Sequence, residues 1–308
     1  MSKFSGKKAL WRGSGVMRLK AAFMAAMMLV ALPGAAVALD VDADDYGAGA
    51  LPAGTNLGVF YYQYANRDKL YQNGNAVGPG NLESNIGILR YARFVEIGPF
   101  LADPQFLLPI GKIAGTGGQS GLGSDFAVGD LILASTVWLY RNKEQGQYFG
   151  ITPIVYIPSG AYDNSRSINL GENRWKGAIQ AGYSTQLFSK DLVFQITADV
   201  TFFGDNTNFG PTGMTMSQDP VGLFQGWLKY NFSPNFDVRV GLNYSVGGET
   251  RVNGISNDDK LSNSNFRAGF SYSFLESYNF MALYGRDIHV ESGFKESDRI
   301  NLRLMHVF

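Results

Sequence analysis

The chain has 308 residues, of which 45% are hydrophobic, 14% aromatic and 17% charged, and its formal net charge is +0. A neutral chain gives no reason to expect a nucleic-acid partner, and the absence of cysteine excludes disulfides, thiolate metal ligands and cysteine nucleophiles. The 38 glycines and many aromatic side chains are typical of a β-rich protein. A mean hydropathy of -0.08 is low for a helical membrane protein but ordinary for barrel strands, which are half polar.

Residues 1–38 have the order of a secretory signal peptide. Basic residues without any acid precede the apolar stretch 21–32, and Ala36-Val37-Ala38 places small residues where a signal peptidase reads them. The apolar stretch is shorter than the roughly 20 residues of a spanning helix, which disfavours a retained membrane anchor. We therefore predict cleavage after Ala38, with either Met1 or Met17 as the start of the chain.

Residues 39–53 are acidic, small and rich in glycine and alanine, and we expect them to form a flexible periplasmic leader. Twelve strand-like segments follow, each about as long as the 9–11 residues with which a tilted strand crosses a bilayer. They cover residues 55–65, 83–94, 104–113, 127–140, 147–157, 174–187, 192–204, 221–232, 236–247, 264–274, 278–288 and 298–308. Apolar residues alternate with polar or small ones most clearly in the second half, as in 236–246.

Long and short connections alternate between these segments. Long loops are predicted over 66–81, 115–124, 159–173, 205–220 and 248–262, with short links or turns between them. A barrel inserted from one side has short periplasmic turns and long outer loops, whereas a soluble sandwich has no reason for this alternation. The sequence therefore predicts one all-β domain over 54–308, a transmembrane antiparallel β-barrel of about twelve strands in a Gram-negative outer membrane.

The last ten residues predict the closing strand of this barrel. Ile300, Leu302, Leu304 and Phe308 share one face with His306, while arginine and asparagine residues occupy the other. We expect the terminal Phe308 to lie at the membrane interface and to act as an assembly signal for the barrel-assembly machinery. The other expected partners are outer-membrane lipid and a small-molecule solute.

Polar residues on the predicted strands are expected to face the lumen, because Arg or Lys facing lipid at mid-depth costs about 2–4 kcal/mol. The lumen-lining candidates are Asp130, Gln195, Asp199, Lys229, Arg239, Asn243, Arg267 and Arg303. They predict either a pore with a cationic bias that attracts anionic solutes, or a narrow barrel whose charges pair and fill the interior. For Asp130, which follows Gly129, a turn cap that holds backbone amides is favoured over a carboxylate at the pore mouth.

Catalysis and metal binding have little support in the sequence. Of the two histidines, His306 lies on the apolar face of the last strand, and His289 lies near Asp287 and Glu291 at a strand–loop junction, as in any polar loop. Two histidines without cysteine disfavour a transition-metal site. We therefore expect no enzyme activity, no cofactor and no metal.

Three short stretches carry a resemblance to a known family. They are Val-Gly-Asp-Leu-Ile-Leu at 128–133, Ile-Pro-Ser-Gly-Ala-Tyr-Asp at 157–163 and Leu-Gly-Glu-Asn-Arg-Trp at 170–175. In this order they resemble the outer-membrane family linked to the meta pathway of phenol degradation, which includes transporter-like proteins associated with sphingosine responses. The resemblance implies an outer-membrane channel that admits aromatic or lipid-like carbon sources, and it brings no catalytic residues.

Taken together, the sequence predicts an outer-membrane channel for the uptake of small aromatic or amphipathic compounds, linked to a catabolic pathway. The alternative is a non-transporting barrel that acts structurally or binds through its loops. The identity of the solute, the openness of the lumen and the oligomeric state stay open at this stage.

Overall fold

The computed structural model describes residues 42–47 and 50–308. The predicted signal peptide, residues 1–38, lies outside the described residues, as do 39–41 and 48–49 of the predicted leader. Within the described ranges, no helix is long and apolar enough to cross a membrane.

The described chain forms eighteen strands and one short 3-10 helix, Gly117–Leu122. The strands in chain order are β1 Asn56–Gln72, β2 Asn75–Arg93, β3 Val95–Ile97, β4 Phe100–Gly115, β5 Ser124–Val128, β6 Leu131–Asn142, β7 Gln147–Ile157, β8 Lys176–Gln186, β9 Leu192–Phe203, β10 Asn206–Phe209, β11 Met214–Gln218, β12 Val221–Ser233, β13 Phe236–Gly247, β14 Thr250–Val252, β15 Ile255–Ser256, β16 Leu261–Leu275, β17 Tyr278–His289 and β18 Gly293–Val307.

Twelve long strands close into one antiparallel barrel, as predicted. Around the barrel they follow the order β1, β2, β4, β6, β7, β8, β9, β12, β13, β16, β17 and β18, and β18 pairs with β1. Closure leaves no edge strand with unpaired backbone N–H and C=O groups. A sheet in lipid requires this, because lipid offers these groups no hydrogen-bond partners. On β13, for example, Val238, Val240 and Leu242 are exposed on the outer face, while Arg239 and Asn243 are buried inside. The alternation seen in the sequence therefore separates the lipid face from the lumen.

The first outer connection differs from the long loop predicted over 66–81. Strands β1 and β2 extend to Gln72 and Asn75 and are joined by the two-residue turn Asn73-Gly74, with φ of 50° and 71°. Positive φ at both central residues is the type I′ geometry that matches strand twist, and Asn-Gly is its preferred sequence. Most residues of this hairpin tip are exposed, so no apolar alternation marks it as strand.

Three other predicted segments also differ from the structure. The strand predicted over 127–140 is broken at Gly129-Asp130 into β5 and β6, and β4 pairs first with β6 and then with β5. The loops predicted over 205–220 and 248–262 contain β10, β11, β14 and β15, which form a separate four-stranded sheet. Phe209, Met216 and Val252 form the small apolar core that stabilises this outer sheet.

The C-terminal strand completes the barrel beside β1. The Phe308 N–H donates to the Asn56 carbonyl at 3.0 Å, and the Asn56 N–H donates back to the Phe308 carbonyl at 2.7 Å. The His306 ring stacks between Tyr278 and Phe308, with centroid distances of 4.2 and 5.1 Å. The histidine that interrupts the apolar face is thus one ring of an aromatic stack.

Deleting Phe308 is expected to reduce the amount of assembled barrel in the outer membrane, because it removes both hydrogen bonds to Asn56 and one ring of the stack. The measurement is the fraction of protein that migrates as a compact, heat-modifiable barrel in outer-membrane preparations. Phe308→Tyr, which keeps the ring and the backbone pairing, is the matched control. Normal assembly of the shortened chain would refute the predicted role of Phe308 as an assembly signal.

Candidate functional site

Residues 42–47, Asp-Ala-Asp-Asp-Tyr-Gly, lie inside the barrel and are termed the plug. They form a turn in which the Asp45 N–H donates to the Asp42 carbonyl at 3.3 Å and the Asp42 N–H donates to Asp45 Oδ2 at 2.7 Å. The plug reaches Arg303 on β18 and Gln180 on β8, which lie on opposite sides of the barrel. This placement differs from the flexible leader predicted over 39–53, because the acidic residues 42–45 meet cationic partners on the wall.

Three cations of the barrel wall, Lys229, Arg239 and Arg303, converge on the plug and are termed the cationic ring. Asp44 Oδ1 accepts from Lys229 Nζ at 2.7 Å, and its Oδ2 accepts from Arg239 Nη1 at 2.7 Å and from Arg303 Nη2 at 3.2 Å. Arg303 Nη1 donates to Asp42 Oδ2 at 2.8 Å. One carboxylate of the plug thus bridges three strands that the sequence alone could not relate.

Of the three plug carboxylates, the two that contact the cationic ring, Asp42 and Asp44, respond differently to burial. Burial alone would raise the pKa of Asp44, but Arg239, Lys229 and Arg303 together hold it well below its ordinary value of 3.8. At Asp42 burial outweighs Arg303, and the pKa is raised. Asp44 is therefore the main charged anchor: its contribution is present above pH 3.8 and is lost as the pH falls through its lowered pKa.

Tyr46 anchors the other side of the plug through hydrogen bonds to four wall strands. Its hydroxyl donates to Gln180 Oε1 at 2.9 Å and lies 2.8 Å from Thr152 Oγ1. Its N–H donates to Gln195 Oε1 at 3.1 Å, and its carbonyl accepts from Trp138 Nε1 at 3.0 Å. Every backbone and side-chain polar group of this buried residue is satisfied, so Tyr46 fixes the plug in one position.

Two glycines make room for the Tyr46 ring. Gly150 on β7 and Gly182 on β8 are directly paired across the sheet. A Cβ atom at Gly182 would lie 2.3 Å from the Tyr46 ring, and one at Gly150 would lie 3.2 Å from it. A Cβ atom at Gly182 would collide with the ring and one at Gly150 would be tight against it, so the two glycines form a slot in the wall for the Tyr46 ring.

Two connected cavities lie in the lumen and at the loops, and together they are termed the outer vestibule. Their volumes are about 1690 and 1140 Å³, including space open to solvent. The side chains that line both cavities are Arg67, Tyr156, Glu172, Arg174, Lys176, Glu296 and Arg299. A third cavity of about 550 Å³ lies beside Tyr46 of the plug.

An apolar belt lines the wall between the outer vestibule and the plug. It consists of Ile88, Leu107, Ile132, Ile154, Tyr156 and Ala178. Ile154 lines both the vestibule and the cavity beside Tyr46. Tyr156 also faces a cation, since Lys176 Nζ lies 4.2 Å from the centre of its ring. The belt therefore separates the vestibule from the cavity beside Tyr46 with apolar side chains that are nearly fully buried.

Glu172 organises the charges at the vestibule. Its Oε1 accepts from Lys176 Nζ at 2.5 Å, and its Oε2 accepts from Arg174 Nε and Nη2 at 3.0 and 2.7 Å. Burial alone would raise the pKa of Glu172, but Lys176 and Arg174 lower it to about 2. Arg174 Nη2 also donates to Gln218 Oε1 at 2.6 Å, which ties this cluster to the neighbouring outer loop.

The three sequence motifs meet at the break between β5 and β6, in a contact termed the clamp. Asp130 Oδ1 accepts from the Gly160 N–H at 2.9 Å, and its Oδ2 accepts from the Glu172 N–H at 3.0 Å. The Gly171 N–H donates to the Ala161 carbonyl at 3.0 Å. Burial raises the pKa of Asp130, while the two amide bonds oppose that rise. Asp130 thus holds backbone amides, the interpretation that the sequence favoured, and it also lines the vestibule.

Alanine at position 160 is expected to loosen the clamp. A Cβ atom there would lie 2.6 Å from the Gly129 carbonyl carbon and 2.7 Å from the Asp130 nitrogen, both backbone atoms. We expect Gly160→Ala to lower the free energy of unfolding by about 1–3 kcal/mol, the usual cost of overpacking. The measurement is the urea midpoint of the folded barrel in micelles. Gly121→Ala is the control because no atom lies within 4 Å of its Cβ position, and equal midpoints would refute the clamp.

The other lumen-lining candidates fall into two groups. Gln195, Lys229, Arg239 and Arg303 contact the plug. Asp199, Asn243 and Arg267 line the outer vestibule instead. The role of these residues in selectivity stays a prediction. Among the described residues, no group of three His, Cys, Asp or Glu side chains could hold a metal ion.

The plug residues Asp42, Asp44 and Tyr46 were not among the site residues predicted from the sequence. The signal that could have found them is charge complementarity, since the acidic residues of the leader match inward-facing cations on later strands. Composition alone, rich in small residues, indicated a flexible segment.

Comparison with known proteins agrees with the resemblance carried by the three motifs. The model of the family of the MetA pathway of phenol degradation matches residues 65–304. An outer membrane channel from Pseudomonas putida F1 is 35% identical, with a TM-score of 0.84 over 87% of this chain and 100% of that chain. The comparison with curated proteins gave no match.

Two autotransporter domains show weaker similarity. The β-domain from Bordetella is 9% identical, with a TM-score of 0.49 over 83% of this chain and 100% of that chain. The translocator domain from Neisseria meningitidis is 12% identical, with a TM-score of 0.47 over 95% and 97%. Neither score reaches 0.5, so no property of this chain follows from them.

Proposed function

This chain belongs to the outer-membrane family of the MetA pathway of phenol degradation, and we propose that it is a gated channel for the uptake of small aromatic or amphipathic compounds. The observation that carries the proposal is the arrangement of the outer vestibule, the apolar belt and the plug within one barrel, with Ile154 lining both the vestibule and the cavity beside Tyr46. The channel among its structural relatives supports passage through the lumen.

The lining of this path suits small organic compounds. Ligand sites are mostly apolar with a few placed polar groups. The apolar belt provides apolar side chains next to the charged cluster of Glu172, Arg174 and Lys176. A compound with an aromatic or short aliphatic body would leave water for the belt before it reached the plug.

The plug supplies the gate in this proposal. It is held by ion pairs, hydrogen bonds and the packing of Ala43 and Tyr46 against the wall, all of them non-covalent contacts that can be broken without unfolding the barrel. A permeating compound would pass when the plug moves off the cationic ring and out of the Gly150–Gly182 slot. The apolar belt concentrates the compound at the upper surface of the plug, and the wall strands keep the passage closed to lipid.

Narrowing the apolar belt tests this function. We expect Ala178→Trp, which fills the belt, to reduce uptake of labelled phenol at micromolar concentration to the level of cells that lack the protein. Ala198→Trp, on the exposed outer face of β9, is the matched control and is expected to restore normal uptake. Both variants are first checked for heat-modifiable, folded barrel. Equal uptake by cells with and without the wild-type protein would favour the alternative of a non-transporting barrel.

A further inference from the structure

We propose that the cationic ring of Lys229, Arg239 and Arg303 is a binding site for the carboxylate of a small amphipathic organic acid, and that the plug occupies this site as an internal ligand. The inference rests on the proposed function, because it identifies a class of compound that the gated path would carry. Four observations support it: the three cations converge on one carboxylate, their charge is balanced mainly by the plug, an apolar cluster lies beside them, and buried polar groups on β12 have no partner among the described residues.

The ring is built as an anion site. Its side chains come from β12, β13 and β18, are at most 8% exposed, and meet at the carboxylate of Asp44. Two of them are positioned by the wall itself: Arg239 donates to both oxygens of Asp237 at 2.8 and 2.7 Å, and Arg303 Nη2 donates to Asn279 Oδ1 at 2.9 Å. The arginines are therefore oriented by contacts that do not involve the plug.

The charge of the ring depends on the plug. Among the ion pairs of the described residues, the three ring cations have one carboxylate partner on the wall, Asp237, and two on the plug, Asp42 and Asp44. When the plug leaves, the three ring cations keep one carboxylate partner, Asp237, and so carry two positive charges in excess. An incoming carboxylate would restore the charge-assisted hydrogen bonds that Asp42 and Asp44 provide.

Ala43, which lies between Asp42 and Asp44 of the plug, indicates the shape of the ligand. Ala43 packs in a buried apolar cluster with Trp227, Met281 and Leu283, beside the ring. The plug thus presents a carboxylate joined to a small apolar body, and the wall offers a cationic and an apolar surface to match. A small organic acid with an aromatic or short aliphatic body has the same two parts.

The plug leaves polar groups of this wall unused. Trp227 Nε1 is buried and has no hydrogen-bond partner among the described residues, and both amide atoms of Gln225 are in the same state. These residues share the inward face of β12 with Lys229, since strand side chains alternate between faces. Buried groups without partners are rare, and here they provide hydrogen bonds for a ligand with a larger body than Ala43.

The test is calorimetric titration of the folded barrel in micelles with benzoate and with benzyl alcohol, which differ in charge but share an aromatic body. Asp42→Asn/Asp44→Asn removes the two plug carboxylates that contact the ring and keeps the shape of their side chains. We expect this variant to bind benzoate roughly tenfold or more tightly than the wild type, because the competing charges are gone. Benzyl alcohol is expected to bind both proteins equally, and adding Arg303→Gln is expected to remove the preference for benzoate.

Asp68→Asn/Asp191→Asn neutralises two exposed acids and is the matched control, expected to bind benzoate like the wild type. If the double plug variant does not assemble, Asp44→Asn alone is titrated, and it is also expected to bind benzoate more tightly than the wild type. Equal benzoate affinity in the wild type and the plug variant would overturn the inference. So would an increase in affinity for benzyl alcohol as large as the increase for benzoate. Binding does not require transport, so the two proposals can fail separately. Failure of the uptake assay would refute the channel, whereas this titration decides whether the cationic ring binds a carboxylate.

Discussion

Replacing Gly182 by alanine is expected to dislodge the plug and to raise the single-channel conductance of the reconstituted protein by about tenfold or more, because pore conduction depends on the narrowest constriction. A Cβ atom at this position would lie 2.3, 2.4 and 2.5 Å from atoms of the Tyr46 ring. A displaced ring cannot keep the hydroxyl bonds to Gln180 and Thr152. The change leaves the cationic ring untouched, so an effect on conductance would report the position of Tyr46.

A double-mutant cycle identifies the cause of that effect. Tyr46→Ala removes the ring and is expected to raise conductance alone, and adding Gly182→Ala to it is expected to change little, since nothing is left to collide with. Gly226→Ala on β12 is the matched strand control, because no atom lies within 4 Å of its Cβ position. Wild-type conductance in a folded Gly182→Ala barrel would contradict the assignment of Tyr46 as the anchor of the gate.

Replacing Glu172 by alanine is expected to lower the free energy of unfolding by about 3–5 kcal/mol, the range found when a buried ion pair loses one partner. Glu172 is the carboxylate that Arg174 and Lys176 share, and both cations are nearly fully buried. Glu249→Ala is the control, because its ion pair with Arg251 is partly exposed and worth less than about 1 kcal/mol. Similar losses for the two variants would contradict the organising role of Glu172.

The same ion pairs predict how stability depends on pH. The pKa of Glu172 lies at about 2 in the folded barrel against an ordinary value of 4.5. A lowered folded pKa gives stability that is fully present above pH 4.5 and is lost as the pH falls from 4.5 towards 2. The measurement is the urea midpoint of the wild type and of Glu172→Gln between pH 7 and pH 2. The difference in urea midpoint between the two proteins is expected to shrink as the pH falls from 4.5 towards 2. A constant difference would refute the predicted pH dependence.

The barrel could be predicted from local patterns because the lipid and the lumen impose opposite polarities on successive residues. On β13, exposed Val238 and Val240 flank buried Arg239, and the alternation needs no knowledge of the partner strands. The hairpin at Asn73-Gly74 was missed because its exposed residues carry no such alternation. The break at Gly129-Asp130 was missed because apolar residues continue on both sides of it.

The plug could not be predicted in the same way, because its contacts are not local. Asp42 and its partner Arg303 are 261 residues apart in the chain, and Tyr46 and Gln195 are 149 apart. Inward-facing cations were recognised from the sequence, but their counter-charges were sought on the wall rather than in the leader. The motif around Asp130 was recognised as a family resemblance, and the clamp gives its physical reason: one carboxylate holds the amides of the two other motifs.

A reversible disulfide between the plug and the wall tests the gate most directly. An ideal Cβ atom at Gly47 would lie 3.2 Å from the Ser184 Cβ, near the spacing of a disulfide, and the chain has no other cysteine. We predict that oxidised Gly47→Cys/Ser184→Cys stays closed in planar bilayers, even combined with Gly182→Ala, and that adding a reductant restores conductance. Equal conductance before and after reduction would contradict a plug that must leave for the channel to open.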